Sequence, residues 1–371
     1  MICPDPYLIN LLIKKGIPFA VYKNPEKENT VIIAQRSPVL SSISIQSIDN
    51  ISGFIIAPFE INENNEIFVI QSDFIHTAEH AAGELENFLK SLPDVNIAHD
   101  ISNYQLNRNE YLDDVRFCIN KIKSGTTDKV VLSRVSVKDL SSSPDYAELF
   151  KAFCQKYDEA FVYMLYSRET GLWTGASPEI LLKKDGKSLL TMAVAGTRLL
   201  SAYQNSSAWA EKEIEEQRLV SVFIENLLSE FGITTYKTKG PETITAGNIV
   251  HLKTTFSIDQ QHLTGKIGTF ISQLHPTPAV CGLPAINAFQ LIKEVEKHER
   301  RLYTGFLGPW NLEGESQLFV NIRCAELNRH NIKIYVGGGL TAASVPTNEW
   351  EETNNKLQTL FSVIENLMKF A

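Results

Sequence analysis

The segments Gly175-Ala-Ser-Pro-Glu-Ile-Leu-Leu and Ala193-Val-Ala-Gly-Thr-Arg stand on either side of Asp185-Gly186. A dipeptide of that kind between two apolar runs closes a tight antiparallel hairpin, because glycine supplies the positive φ that other residues resist. The hairpin sets Glu179 at the start of its first strand and ends its second at a small-residue corner, Ala195-Gly196-Thr197. A carboxylate facing a bare backbone corner suits a small polar ring. On its own, such a hairpin is more often plain sheet with a solvated glutamate.

Several strands are joined by turns rather than by helices, which predicts mainly antiparallel sheets with helices outside. Val31-Ile-Ile-Ala and Gly53-Phe-Ile-Ile-Ala read as short strands, Ile75–Leu92 as a helical pattern, and strands alternate with amphipathic helices from about Asn109 onward. No Pro/Gly/Ser linker divides the 371 residues. The expected fold is therefore α+β: one large domain over 1–371, with 1–108 as an accessory N-terminal layer on a core over 109–371. The 43% apolar content fills such a core, and the net charge of −8 argues against nucleic acid or an anionic membrane as partner. No apolar run is long enough to span a membrane and no basic-apolar leader opens the chain, so a cytoplasmic protein is expected. Five scattered cysteines with no Cys-x-x-Cys spacing suit reduced thiols.

Asp128-Lys-Val-Val-Leu-Ser-Arg-Val reads as a strand with Lys129, Val131 and Ser133 on one face and Val130, Leu132 and Arg134 on the other. A lysine among valines either snorkels from the strand start or is desolvated for a purpose; a neutral buried amine can take a proton from water. Glu211 to Gly232 forms a helix whose apolar stripe is Val220, Phe223, Ile224, Leu227, Leu228 and Phe231. Glu216 continues that stripe, whereas Glu213 falls at its edge, where the helix dipole favours a solvated carboxylate. A buried glutamate needs a salt bridge or a cation, and the helix alone does not choose.

The last helix is expected to open at Asn348 as N-cap, with Glu351 at its third position. Glu349, Glu351 and Glu352 are ordinary first-turn acids, but Lys356 lies four residues beyond Glu352 on the flank that continues into Leu360 and Ile364. Glu216 and Glu352, with Glu349 as a further candidate, could hold a hard dication whose shell is completed by water, which fits Mg2+ best. Phe319–Leu327 reads as a strand carrying Arg323, and Tyr335-Val-Gly-Gly-Gly as a strand ending in Gly337, Gly338 and Gly339, whose N–H groups could face an anion. Tyr303 adds a hydroxyl, and His251 belongs to a pocket wall or to the core. His76-Thr-Ala-Glu-His matches a short zinc-peptidase pattern, for which a surface helix is the better account.

Taken together, the Gly-Ala-Ser-Pro-Glu, Ala-Gly-Thr, Lys129 strand, Glu216 helix and Gly-Gly-Gly motifs resemble the chorismate-utilising enzymes, over about Tyr111 to Phe370. That resemblance implies two antiparallel sheets packed face to face, Mg2+ as cofactor, and a pocket including Ala195, Gly196, Thr197 and His251. Ala195 stands where relatives that form a covalent intermediate carry lysine. Lys129 stands where ammonia-using relatives carry glutamine, so water is the implied nucleophile and no glutaminase subunit is expected. Gln217 departs from the Glu-His pair frequent in relatives. Among subfamilies the isochorismate synthases are most similar, with a salicylate synthase or a catalytically silent chorismate-binding subunit as alternatives. The implied chemistry has Lys129 deprotonate a water that adds at C2, while Glu179 protonates the departing C4 hydroxyl. Arg323, Tyr303, Lys356 and the glycine amides would hold the anionic groups. A monomer is expected.

Overall fold

A computed structural model describes residues 6–25, 27–77, 82–95, 101–102, 104–206, 208–247, 249–367 and 370. Two nine-stranded sheets dominate them, and every pairing between neighbouring strands is antiparallel. From edge to edge the first sheet runs Gly282–Leu283, Lys129–Asp139, Asn331–Leu340, Cys324–Leu327, Gly171–Ser177, Phe161–Ser167, Phe19–Lys23, Thr30–Ala34 and Phe74–His76. The second runs Lys237–Ala246, Ile249–Asp259, Ser188–Leu199, Ile180–Asp185, Gln317–Val320, Phe306–Trp310, Gly53–Ala57, Ile67–Ile70 and Ser41–Ile43. The α+β class with two antiparallel sheets is as expected, and strands from the first hundred residues extend both sheets.

The sheets meet through a core to which each contributes aromatic side chains: Tyr163 and Trp173 from one, Phe54 and Phe319 from the other. Phe161 and Phe319 stack across it with centroids 4.2 Å apart. Burying each such ring stabilises the face-to-face packing by roughly 1.5–3 kcal/mol. Helices cover the outer faces, with Pro6–Lys15, Tyr146–Lys156 and Pro346–Ile364 on the first sheet. Glu211–Glu230 and Ile267–Leu274 lie on the second. Among the described residues no helix is long and apolar enough to cross a membrane.

Four local readings are corrected. Asp185 pairs with Ser188, so the hairpin loop is Gly186-Lys187, with Gly186 at φ 59°. The stretch from Ile75 is not one helix: Phe74–His76 is a strand and the helix is Gly83–Ser91. His76 thus closes a strand, and Ala78, Glu79 and His80 lie outside the described residues. Phe319–Leu327 is two strands in different sheets. Helix Pro346–Ile364 starts with proline at its first turn and Val345 as cap, leaving Asn348 inside; a proline there gives up no hydrogen bond and already has helical φ.

Candidate active site

The chain passes between the sheets at two adjacent places. Pro178-Glu179 links Gly171–Ser177 to Ile180–Asp185, and Asn321-Ile322-Arg323 links Gln317–Val320 to Cys324–Leu327. Proline interrupts the first ladder because it has no N–H to donate. Arg323 sits at φ 51°, a left-handed conformation uncommon outside glycine. The crossovers are stitched together: Ser177 Oγ donates to the Val320 carbonyl at 2.5 Å, Val320 N–H to the Glu179 carbonyl at 2.9 Å, and Ala176 N–H to the Arg323 carbonyl at 3.0 Å. Both side chains consequently line one cavity between the sheets.

Glu179 is 3% exposed. Burial pushes its carboxyl up to about 8, against the pull of Lys129, Arg323 and Lys356. At neutral pH it is mostly protonated. Burial likewise brings the Arg323 guanidinium down to about 10. Its Nη2 lies 2.8 Å from His251 Nε2, and His251 Nδ1 lies 2.8 Å from the Gly196 carbonyl. A guanidinium only donates and a carbonyl only accepts, so His251 is the neutral Nδ1–H tautomer. Burial, with Arg323 next in effect, holds that imidazole down to about 3. Gly196, at φ 73°, belongs to a bulge between Ala195 and Arg198 inside the strand Ser188–Leu199; the expected strand end is a bulge. A Cβ there would press on Glu213 at 3.0 Å.

Lys129 is fully buried. Its ammonium lies 3.2 Å from Glu216 Oε1 but makes no aligned hydrogen bond. Glu216 forms part of the cavity wall, whereas Lys129 stands outside that wall, against Glu216. Burial raises the Glu216 carboxyl, but Lys129, Lys212 and Lys356 outweigh it and the net shift is downward.

Gly337, Gly338 and Gly339 make no turn at the end of the strand. They run inside a strand, paired with Ser133, Leu132 and Val131, and none has a left-handed φ. Their use is clearance. A Cβ at Gly339 would stand 2.0 Å from Glu216 Oε1 and 3.1 Å from Lys129 Cε, and one at Gly337 would stand 2.8 Å from the Tyr303 hydroxyl. Gly339→Ala is therefore expected to keep the fold, since the carboxylate end of Glu216 can swing aside, yet to displace that carboxylate. With Glu216 as the Mg2+ ligand expected from the sequence, titration calorimetry on the variant should show affinity lost by about tenfold or more; unchanged affinity would mean Glu216 is not a ligand.

Lys356 donates to the Gly337 carbonyl at 2.9 Å and pairs with Glu352 Oε1 at 2.9 Å. Glu352 and Glu349 reach the position of a Gly338 Cβ at 3.5 and 3.6 Å, so carboxylates from two helices approach one strand at consecutive glycines. Glu349 is buried, and burial together with Glu352 raises its carboxyl although Lys212 Nζ lies 2.7 Å away. Lys212 feels Glu349, Glu352 and Glu216 together, which hold its ammonium up despite burial. Glu213, Glu349 and Glu352 line a second cavity, which shares Thr197 and Ile249 with the first.

Sequence reasoning did not consider Lys212 and set Glu213 aside. Glu213 precedes Glu216 by three residues, one helical turn, and that spacing could have found it; the dipole explanation masked it. Its Oε2 is buried without a hydrogen-bond partner, as is Glu349 Oε2 in good geometry. Among the described residues no three acidic, histidine or cysteine side chains already gather their donors as a metal centre would. The unpartnered carboxylate oxygens, an oxygen-only donor set and room beside them nonetheless fit a hard, partly hydrated dication.

Residues 16–365 match the family model described as chorismate binding enzyme. The isochorismate synthase EntC of Escherichia coli K12 is 31% identical over 243 residues, which span 64% of this chain and 62% of that protein. The vibriobactin-specific isochorismate synthase of Vibrio cholerae serotype O1 is 30% identical over 260 residues, 68% of this chain and 66% of that one. The matched part of this chain thus spans just under two thirds of either relative. Among solved structures, MenF, the menaquinone-specific isochorismate synthase of Escherichia coli, superposes with a TM-score of 0.76 at 20% identity, covering 96% of this chain and 91% of that one. At that identity the likeness speaks for the fold.

Proposed function

The chain belongs to the chorismate-binding enzyme family, and from that membership we propose that it is an isochorismate synthase, an isomerase moving a hydroxyl from C4 to C2 of chorismate with Mg2+ as cofactor. The reading is supported above all by Glu179, a buried carboxyl with a pKa of about 8 in the same cavity as Arg323, Lys356 and Glu216. Hydroxide is a poor leaving group, so the chemistry needs an acid that keeps its proton at neutral pH.

In this mechanism Glu213, Glu216, Glu349 and Glu352 would hold Mg2+, which supplies positive charge for the ring carboxylate. Arg323, oriented by His251, forks onto a second carboxylate of the substrate, and Tyr303 donates a hydroxyl. Lys356 adds charge at the Gly337 end. Once Glu216 is drawn away from it, the Lys129 ammonium gives its proton up to solvent, and the neutral amine then takes the proton of a water as that water adds to C2. The ring double bonds shift, the C4–O bond breaks, and Glu179 gives its proton to the leaving oxygen. Atoms balance: one water is added and one is released. Val131, Ala279 and Val280 in the wall limit stray water.

Incubating the chain with chorismate and Mg2+ and separating the products tests this directly. Isochorismate alone is expected. Salicylate with pyruvate would make it a salicylate synthase, and unchanged chorismate would leave a silent binding protein.

A further inference from the structure

Arg134 lies on the strand that carries Lys129, but on its other face, and is 4% exposed. Among the described residues no carboxylate pairs with it. Its hydrogen-bond partners and its nearest ring belong to helix Pro346–Ile364: Nε donates to Thr353 Oγ1 at 2.9 Å, Nη2 donates to Asn354 Oδ1 at 2.6 Å, and the guanidinium lies 4.1 Å from the Trp350 ring centre. Tyr111 closes the cage, its ring 5.6 Å from Trp350. Thr353 is itself anchored by donating to the Trp350 carbonyl at 2.8 Å and packs near Gly338.

Burying an arginine without a counter-ion is costly, and two neutral oxygens with an aromatic face offset it only in part. What this arrangement provides is direction. A planar fork binding two consecutive side chains, with a ring stacked on it, fixes both rotation and axial register of a helix; a point charge would fix neither. Trp350, Thr353 and Asn354 form one flank of that helix, and Glu349, Glu352 and Lys356 the adjacent flank. Turning the helix by one residue, about 100°, would carry those three groups out of the cavity wall.

We propose that Arg134 is a positioning residue that locks helix Pro346–Ile364 to the Lys129 strand, and so sets where Glu349, Glu352 and Lys356 stand relative to Lys129. The inference rests on the functional reading above, in which those three groups serve the cation and the anionic substrate. It predicts an effect on binding more than on chemistry, because the helix groups contact ground state and transition state alike.

The test uses the full chain with Arg134→Lys and Arg134→Met, and Asn354→Ala as a milder variant should neither fold. Mg2+ affinity is read by calorimetry, and chorismate kinetics at saturating Mg2+ are read alongside circular dichroism. Mg2+ Kd and chorismate KM are expected to rise by about tenfold or more, with kcat changing by less than about threefold; Asn354→Ala should shift both in the same direction by less. Lysine should not rescue, because it keeps the charge and loses the fork. Folded variants with wild-type Kd and KM would overturn the role of Arg134 alone, and if only Asn354→Ala folds, wild-type values there overturn it too. A wild-type chain that neither binds Mg2+ nor converts chorismate would overturn the functional reading instead, and the helix role with it.

Discussion

Lys129→Gln and Glu179→Gln are each expected to lower chorismate turnover by about two to four powers of ten, while Mg2+-dependent chorismate binding survives in calorimetry. Neither side chain is needed to hold the ring in the proposed mechanism, since Arg323, Tyr303, Lys356 and the acidic cluster do that. Losing the amine removes the base for the attacking water, and losing the carboxyl removes the proton for the leaving oxygen. Binding lost along with turnover would show these residues to be ligands instead of catalysts.

The acid also sets the sign of the pH dependence. Glu179 must be protonated to act, and its carboxyl is pushed up to about 8, so kcat/KM should fall as pH rises through about 8. Linkage gives the matching stability effect. A carboxyl whose folded pKa is raised from 4.5 to about 8 binds its proton more tightly in the folded chain. Its contribution is complete below 4.5 and is lost as pH rises through 8. Glu179→Gln should remove that alkaline loss. Urea midpoints for both proteins at pH 6 and pH 9 would read it, and an identical slope would contradict the burial of an uncompensated carboxyl.

Glu296→Gln is expected to destabilise the fold by about 3–5 kcal/mol, a far larger change than exposed ion pairs allow. Glu296 and Arg300 are both buried, and the carboxylate takes two charge-assisted bonds from Arg300, at 2.6 and 2.9 Å, and two from Ser133. Arg300 in turn donates to the Val131 carbonyl at 2.6 Å and to the Val280 carbonyl at 2.8 Å. Removing one charge leaves the other buried and unpaired. The same pair braces the cavity, since Val131, Val280 and Tyr303 line its wall. Glu215→Gln is the control: its pair with Arg218 is about half exposed on both sides, and its loss should cost about 0.5 kcal/mol or less. Denaturant unfolding of the two variants side by side decides between them. A Glu296 variant within about 1 kcal/mol of wild type would mean that Arg300 finds other partners.

Much of the fold was legible because hydrogen-bonding patterns are local. Asp185-Gly186 announced a hairpin, and Gly186 does carry the positive φ of its loop, although the first strand ends, and the loop begins, one position later than the dipeptide suggests. Lys129, at the head of an apolar strand, read as either snorkelling from the strand start or desolvated, and it is fully buried. The misreadings share a cause. In Phe319–Leu327 alternation continues across Arg323, yet the chain changes sheet there. Periodicity reports which residues face inward and is silent on which sheet they face inward from. The three glycines read as the end of a strand because glycine is permissive, whereas the strand runs through them and their missing side chains make room for Glu216 and Tyr303.

The acidic end of the site shows the same limit from the side of charge. Glu213 and Glu349 each sit in a first turn, where a helix dipole alone would favour an acid, and Glu352 reads that way as long as the last helix is taken to open at Asn348. One-dimensional reasoning therefore assigned Glu213 to solvent, and it singled out Glu352 and Glu349 only through Lys356 one turn beyond. Only the packing of two helices against one strand brings them around Lys212 and leaves two carboxylate oxygens buried without partners.

Residue order by itself determined the strands, the helices, their apolar faces and which side chains could do acid, base or metal chemistry, because each depends on neighbours a few positions away. Tertiary structure decided which of those side chains share a cavity, which carboxyl keeps its proton, and which arginine orients a helix. Those properties come from desolvation and from contacts between residues about two hundred positions apart, such as Arg134 with Thr353, and no local pattern encodes them.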